Sequence, residues 1–298
     1  MKILLLGCGG QLGWELQRAL APLGELVAFD RDTGADFSRP DTLPALLDTH
    51  RPEVIVNAAA HTAVDRAESE PELARTINAE APGLLAREAA ARGAWFVHYS
   101  TDYVFDGSGE QARAEDAPTG PLSVYGRTKL EGEELVRASG CRHLILRTSW
   151  VYAARGANFA KTMLKLAAER DKLRVVADQI GAPTGADLLA DVSAHALRQA
   201  LADPSLAGTY HCVAAGETSW HGYARFVVEH ALAAGRPLRI VPGAIEPVPT
   251  SDYPTPARRP LNSRLDTSRL RERFGLHLPP WQDGVRRMLD EITTTGER

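Results

Sequence analysis

The 298-residue chain predicts an α/β fold, a doubly wound parallel sheet followed by a smaller C-terminal lobe. Three observations predict it. Short apolar runs alternate with helical periods through the first half, a rhythm that places helices on both faces of a parallel sheet. The first apolar run passes directly into a glycine-rich turn, Gly7-Cys8-Gly9-Gly10-Gln11-Leu12-Gly13. After about Thr148 the rhythm loosens, and prolines gather between Pro237 and Pro260.

Taken in order, Lys2–Leu6 reads as a buried strand, because its apolar run is too short to span a membrane and glycines follow at once. Gln11–Leu20 reads as a helix, 26–29 as a strand, and 54–56 as another strand after the Arg51-Pro52 turn. Residues 72–92 form a long helical stretch, 95–100 a strand, Val124–Ala138 a helix and 143–147 a strand. Beyond them, 158–169, Ala186–Ala202, Trp220–Ala233 and 281–292 read as helices. Short strands are expected at Leu173–Val176, 209–212 and 238–241. The segment holding Pro242, Pro247, Pro249, Pro254 and Pro256 cannot be a regular helix or a central strand. It reads as a surface loop, either a lid or a plain connector.

Composition excludes several functions. A net charge of −4 and a pI near 6.2 argue against nucleic acid as a partner. No run approaches the ~18 apolar residues of a membrane span. Cys8, Cys141 and Cys212 are too dispersed for a metal or redox pair, so reduced thiols and a cytoplasmic location are expected. The nine histidines form no HExxH motif, and no metal is expected. A serine-hydrolase elbow is missing as well.

The glycine turn contains Gly-x-x-Gly-x-x-Gly at 7, 10 and 13 between a strand and a helix. Glycines there allow backbone to approach a pyrophosphate, and the helix start aims free N–H groups at it. Gly7, Gly10, Gln11 and Leu12 are therefore cofactor-binding candidates, and residues 1–150 read as a Rossmann-like dinucleotide-binding domain to which later segments can return. Residues 151–298 then form mainly a substrate-binding lobe. The second strand ends in Asp30-Arg31. Asp30 suits the ribose 2′-hydroxyl of NADH, whereas Arg31 suits the 2′-phosphate of NADPH, so use of either cofactor is expected. Arg31 can also be an ordinary solvated charge.

Lysine is scarce: Lys2, Lys129, Lys161, Lys165 and Lys172 stand among 34 basic residues. Against that background Tyr125-Gly-Arg-Thr-Lys129 is informative, since random placement gives roughly 0.1 such pairs. Four residues apart on a helix, the ammonium can lie near the phenol and lower its pKa from ~10 toward working pH, as a general acid requires. The bland alternative is a packed tyrosine and a solvated lysine. Ser100 and Thr101 end a strand, where an α/β sheet opens its ligand crevice, so a hydroxyl there can hold a carbonyl against the tyrosine. Thr101 can equally close a turn.

Together the glycine turn, the strand-end Ser/Thr and Tyr-x-x-x-Lys resemble the extended short-chain dehydrogenase/reductases. Finer motifs resemble, within them, the family that reduces dTDP-4-dehydrorhamnose: Gly7-x-x-Gly10-Gln11-Leu12-Gly13, Asn57-Ala58-Ala59-Ala60-His61-Thr62-Ala63-Val64-Asp65, Ser100-Thr101-Asp102-Tyr103-Val104-Phe105-Asp106-Gly107, Asp178-Gln179-x-Gly181-x-Pro183-Thr184 and Arg259-Pro260-x-Asn262-Ser263-x-Leu265-Asp266. The resemblance spans almost the whole chain. It implies that Tyr125 donates a proton to the C4 ketone oxygen of dTDP-4-dehydro-L-rhamnose while NADPH or NADH supplies hydride to C4. Lys129 would bond the nicotinamide ribose and lower the Tyr125 pKa, and Thr101 would orient the carbonyl. Ala58 and Ala59 would line the dinucleotide; Val104 and Trp150 would face the sugar, Trp150 being alternatively a core aromatic. Arg258 and Arg259 are candidates for the substrate diphosphate, because a guanidinium fork matches phosphate oxygens; either can instead be a surface charge. His61 stands where many relatives have tyrosine. A homodimer is compatible with the resemblance.

Two rival readings share this scaffold. A nucleotide-sugar epimerase would use the same pair while retaining its NAD. A non-catalytic subunit, resembling the regulatory β subunit of methionine adenosyltransferase, would need none of Thr101, Tyr125 and Lys129, yet all three are present.

Overall fold

The computed structural model describes residues 1–295. In chain order its strands are β1 (Lys2–Leu6), β2 (Glu25–Phe29), β3 (Val54–Asn57), β4 (Trp95–Thr101), β5 (Arg142–Thr148), β6 (Val151–Tyr152), β7 (Leu173–Val176), β8 (Ile180–Gly181), β9 (Thr184–Gly185), β10 (Gly208–His211), β11 (Thr218–Ser219) and β12 (Ile245–Val248). The helices are α1 (Gln11–Leu20), α2 (Leu43–His50), α3 (Val64–Ala67), α4 (Pro71–Arg75), α5 (Ala81–Arg92), α6 (Val124–Ala138), α7 (Phe159–Glu169), α8 (Ala186–Ala202), α9 (Trp220–Ala233), α10 (Ser268–Phe274) and α11 (Trp281–Thr295).

Six strands form one parallel sheet in the order β10-β5-β4-β3-β1-β2, the doubly wound arrangement the alternating pattern predicts. Both faces are covered, which is why β1 can be apolar at successive positions. Ile3 and Leu5 point into a core with Leu16, Leu20, Leu189 and Tyr210, while Leu4 and Leu6 point into the opposite core with Leu43, Leu85 and Phe96. β10 lies beside β5, and α8 packs on α1, so the chain returns to the large sheet after residue 185. A second core, with Tyr152, Leu164, Tyr223, Val227, Trp281 and Val285, gathers α7, α9 and α11.

Several elements differ from expectation. The stretch 72–92 is helical but widens into a π turn at Thr76–Glu80, where the Ala81 N–H bonds the Thr76 carbonyl five residues back. Pro82 follows at once and has no N–H to continue the α ladder to residue 78. The wider turn buries Asn78, whose Oδ1 accepts from the His61 N–H at 2.8 Å and whose Nδ2 donates to the His61 carbonyl at 3.1 Å. Residues 238–241 form no strand: the N–H groups of Arg239 and Ile240 bond the Ala167 carbonyl instead, and Ile240 packs into the second core. The strand forms later, at β12 beside β7, and carries Pro247 in a two-stranded sheet where a missing donor is tolerated. Expected strand 209–212 forms one residue earlier, as β10.

Candidate active site

The carboxyl ends of β1, β3, β4 and β5 come into register: Leu6 lies opposite Phe29 and Asn57, Asn57 opposite His98, and Thr101 opposite Thr148. Two cavities open above them. One, of ≈ 440 Å³, is bordered by Gln11, Thr101, Tyr125, Lys129, Trp150 and Trp220. The other, of ≈ 570 Å³, is bordered by Gly7, Gly9, Asp30, Arg31 and Ala59; both reach Gly10.

The glycine turn is shaped as a dinucleotide requires. Gly7 has φ +90°, and a Cβ there would fall 2.6 Å from the Ala59 nitrogen, so only glycine fits. Gly10 differs: a Cβ on it would meet only the Gly7 carbonyl oxygen, at 3.5 Å. The side of Gly10 that faces the cavities is therefore open to a large group. The α1 N-terminus has no side-chain cap and no acidic residue in its first turn. Uncapped N–H groups with a positive dipole end and no competing carboxylate suit a pyrophosphate. Gln11 and Leu12 of this turn border the first cavity, with Ala58, and Ala59 borders the second.

Asp30 caps its own turn. Its Oδ1 accepts from the N–H groups of Asp32 and Thr33, both at 3.1 Å, while Oδ2 faces the Cys8 thiol at 3.9 Å. Burial and then the Asp30 charge push the Cys8 thiol up. Arg31 is 79% exposed, lies 3.6 Å from Asp32, acts on the Asp36 carboxylate and stands at the cavity rim.

Tyr125 sits in the first turn of α6, whose start is fixed twice. The Ser123 hydroxyl accepts from the Gly126 N–H at 3.1 Å, and Glu68 Oε1 accepts from the Val124 N–H at 2.8 Å. Tyr103 meets the Tyr125 ring edge-on at 5.5 Å. The expectation that Lys129 lowers this phenol needs correction. Burial is the largest influence and raises the Tyr125 pKa to about 12; the Thr101 side chain acts against it, and the Asp102 charge adds to it. The Lys129 ammonium is itself almost wholly buried, donates to the Tyr99 carbonyl at 2.6 Å and lies 3.4 Å from His98 Nε2. Burial lowers its pKa to about 8, against the opposing charge of Glu133.

Thr101 Oγ1 donates to Asp102 Oδ1 at 3.0 Å and accepts from the Tyr103 N–H at 3.2 Å. Asp102 is buried, and desolvation raises its pKa to about 6, opposed by the hydroxyls of Ser263 and Thr101. This carboxyl in the cavity lining was not foreseen, although its adjacency to Thr101 was a signal. Trp220 was not foreseen either, and nothing near it in sequence points to the site. Its ring stacks on Trp150 with centroids 3.6 Å apart and planes 14° from parallel. Trp150 itself holds φ +49°, borders the cavity and packs, partly buried, against the core of α7, α9 and α11, so it has both of the settings expected for it.

Three substrate candidates are placed elsewhere. Val104 is fully buried in an apolar cluster with Phe105, Ala182, Val213 and Leu265, because the turn after β4 rotates it inward. Arg259 holds Asp65 with both nitrogens of its fork, at 2.8 and 3.2 Å, and that carboxylate also takes the Ala257 N–H. Arg258 is exposed, and neither arginine borders the cavities described here. His61 is drawn to Glu70, 3.5 Å from its Nε2.

A parallel six-stranded sheet that opens its crevice beneath a tyrosine and a lysine one helical turn apart places the chain among the extended short-chain dehydrogenase/reductases. Within that class the assignment is narrower. Residues 1–294 match the RmlD substrate binding domain family, and the chain belongs to it. It is 57% identical over 298 residues to a dTDP-4-dehydrorhamnose reductase of Escherichia coli K12, with 99% of each chain covered. Among solved structures it resembles a dTDP-4-dehydrorhamnose reductase from Clostridium acetobutylicum, with a TM-score of 0.88, 35% identity, and 98% of this chain and 100% of that one covered. It also resembles the Bacillus anthracis enzyme of that name in complex with NADP, with a TM-score of 0.86, 34% identity, and 97% and 99% coverage.

Proposed function

We propose that this chain reduces the C4 ketone of dTDP-4-dehydro-L-rhamnose to dTDP-L-rhamnose, using NADPH or NADH. One observation carries the reading: Thr101, Tyr125 and Lys129 border a single cavity that reaches the uncapped start of α1 at Gly10. The names of the relatives supply the substrate, and the second cavity beside Asp30 and Arg31 fits the adenosine half of a dinucleotide.

Each residue has a task. A nicotinamide dinucleotide held along the glycine turn would supply hydride to C4. The carbonyl oxygen then carries the developing negative charge, and Tyr125 transfers its phenolic proton to that oxygen, completing the alcohol. A phenol raised to about 12 keeps its proton at neutral pH, so the acid is loaded before the ketone arrives. Thr101 fixes the place of the reacting oxygen beside the phenol. Lys129, held by the Tyr99 carbonyl, borders the same cavity. Trp150 and Trp220 form an aromatic wall for the sugar.

The test is NADPH oxidation with enzymatically generated dTDP-4-dehydro-L-rhamnose, comparing wild type with Tyr125→Phe. Stoichiometric cofactor consumption and loss of kcat by roughly 10²-fold or more in the variant are expected, with near-normal cofactor binding. Turnover retained by Tyr125→Phe would remove the proton donor from this scheme. Product formed without net NADPH consumption would make the protein an epimerase.

A further inference from the structure

We propose that His98, held in one tautomer by Asn57, is a positioning residue that keeps Lys129 able to release and regain its proton. The proposal rests on the preceding assignment of Lys129 and goes beyond it. Nothing in the motifs of the chain singles out His98.

The hydrogen-bond directions settle the tautomer. Asn57 and His98 are neighbours across β3 and β4, and both are buried. The Ala59 N–H donates to Asn57 Oδ1 at 3.0 Å, which fixes that oxygen and turns the Asn57 Nδ2 amide toward His98 Nδ1, 3.1 Å away. An amide nitrogen is only a donor, so His98 Nδ1 must accept and carries no proton. The single proton of the neutral ring therefore lies on Nε2, which faces Lys129 Nζ at 3.4 Å. An N–H opposite an ammonium is repulsive, whereas an N–H opposite a neutral amine makes a hydrogen bond. His98 thus favours the amine form of Lys129.

Other groups around the pair are few. Lys129 also meets the Tyr99 carbonyl, which favours the ammonium, and feels Glu133 on its own helix, which does the same. Glu133 is largely neutralised by Arg147 and Arg137. His98 is flanked by Phe96 and feels His143 from β5. Burial, Lys129 and His143 all hold its ring neutral, in that order. Burial itself lowers the Lys129 pKa to about 8, and the His98 contact acts in the same direction.

Two measurements test the idea. Two-bond 1H–15N correlation spectra of the 15N-labelled protein, with His98 assigned by its loss in His98→Gln, are expected to show a neutral ring protonated at Nε2 near pH 7. An Nδ1–H tautomer or an imidazolium overturns the proposal. In His98→Gln the side-chain amide reaches the place of Nε2 and can turn its oxygen to the ammonium. The alkaline limb of the kcat pH profile is then expected to move up by about one unit, a tenfold gain in proton affinity. A limb that stays in place also overturns it. The spectra need no substrate, so they decide the tautomer even if the ketosugar proves not to be turned over.

Discussion

Glu133 and Arg147 form a doubly hydrogen-bonded ion pair sealed beneath the active site, with Nε to Oε1 at 2.8 Å, Nη2 to Oε2 at 2.7 Å, and the two side chains 0% and 3% exposed. The pair fastens α6, which carries Tyr125 and Lys129, to β5. Arg147 also donates to the Glu115 carbonyl at 3.0 Å and lies over the Phe105 ring. Burial alone would raise the Glu133 pKa, but its contacts with Arg147, Ser100 and Arg137 together outweigh that and hold it below the ordinary glutamate value.

Glu133→Ala is therefore expected to cost about 3–5 kcal/mol, because Arg147 is left buried without its counter-charge. Replacing both partners with apolar residues of similar size should cost clearly less than either single change. Urea denaturation of the three variants measures this. Since the folded pKa of Glu133 is depressed, its contribution is present above the unfolded value and is lost as pH falls through the folded one.

Asp102 has the opposite sign. Its folded pKa is raised from 3.8 to about 6, so the folded state holds the proton longer than the unfolded chain does. The associated stability is fully present below pH ~4 and is lost as pH rises through about 6. At pH 7 the buried carboxylate is a net cost. Asp102→Asn, whose amide oxygen can still accept from the Thr101 hydroxyl, should then gain about 1–3 kcal/mol at pH 7 and little at pH 4. Thermal unfolding at both pH values checks the sign.

Arg31 reaches into solvent at the rim of the Asp30 cavity, tied only loosely to Asp32. An exposed guanidinium there suits a 2′-phosphate, whereas Asp30 suits a 2′-hydroxyl. Arg31→Ala should lower kcat/KM for NADPH by roughly threefold to tenfold and leave that for NADH nearly unchanged, the modest size reflecting solvent screening. Steady-state kinetics with both cofactors decide it. An unchanged ratio would remove Arg31 from cofactor choice.

The elements with strong local signals were legible in the chain. The boundaries of β1, α1, α6, α8 and α9 agree with expectation because the periodicity there is strong, with glycines before α1 and α8 and serine caps before α6 and α9. The glycine turn, Thr101, Tyr125, Lys129 and Trp150 also meet around one crevice as expected. What failed depends on tertiary placement. Val104 follows a strand end, but which way a turn rotates a side chain is set by its packing on Val213 and Leu265. Arg259 reads as a free cation until Asp65, far away in sequence, is found in its fork. The phenol pKa misled because proximity to a cation was weighed without the burial of both groups, and desolvation is the larger effect.

Trp220 is the clearest residue that only the fold reveals, and it yields the last prediction. Its indole covers Trp150, donates from Nε1 to Gln179 Oε1 at 3.1 Å, and is thereby linked to Thr250, which accepts from Gln179 Nε2 at 3.1 Å. Thr250 is anchored in turn by Asp178. Trp150 holds a left-handed backbone that costs a non-glycine residue roughly 1–2 kcal/mol. The stack helps offset that cost, so removing it lets Trp150 relax and the cavity wall shift. Trp220→Leu should raise KM for the ketosugar by about tenfold or more while kcat falls less, since Tyr125 and Lys129 stand on a different helix. Trp220→Phe keeps a ring for the stack but loses the bond to Gln179, and should lie between the two. A Trp220→Leu enzyme with wild-type KM would show that the stacked pair is no part of the sugar wall.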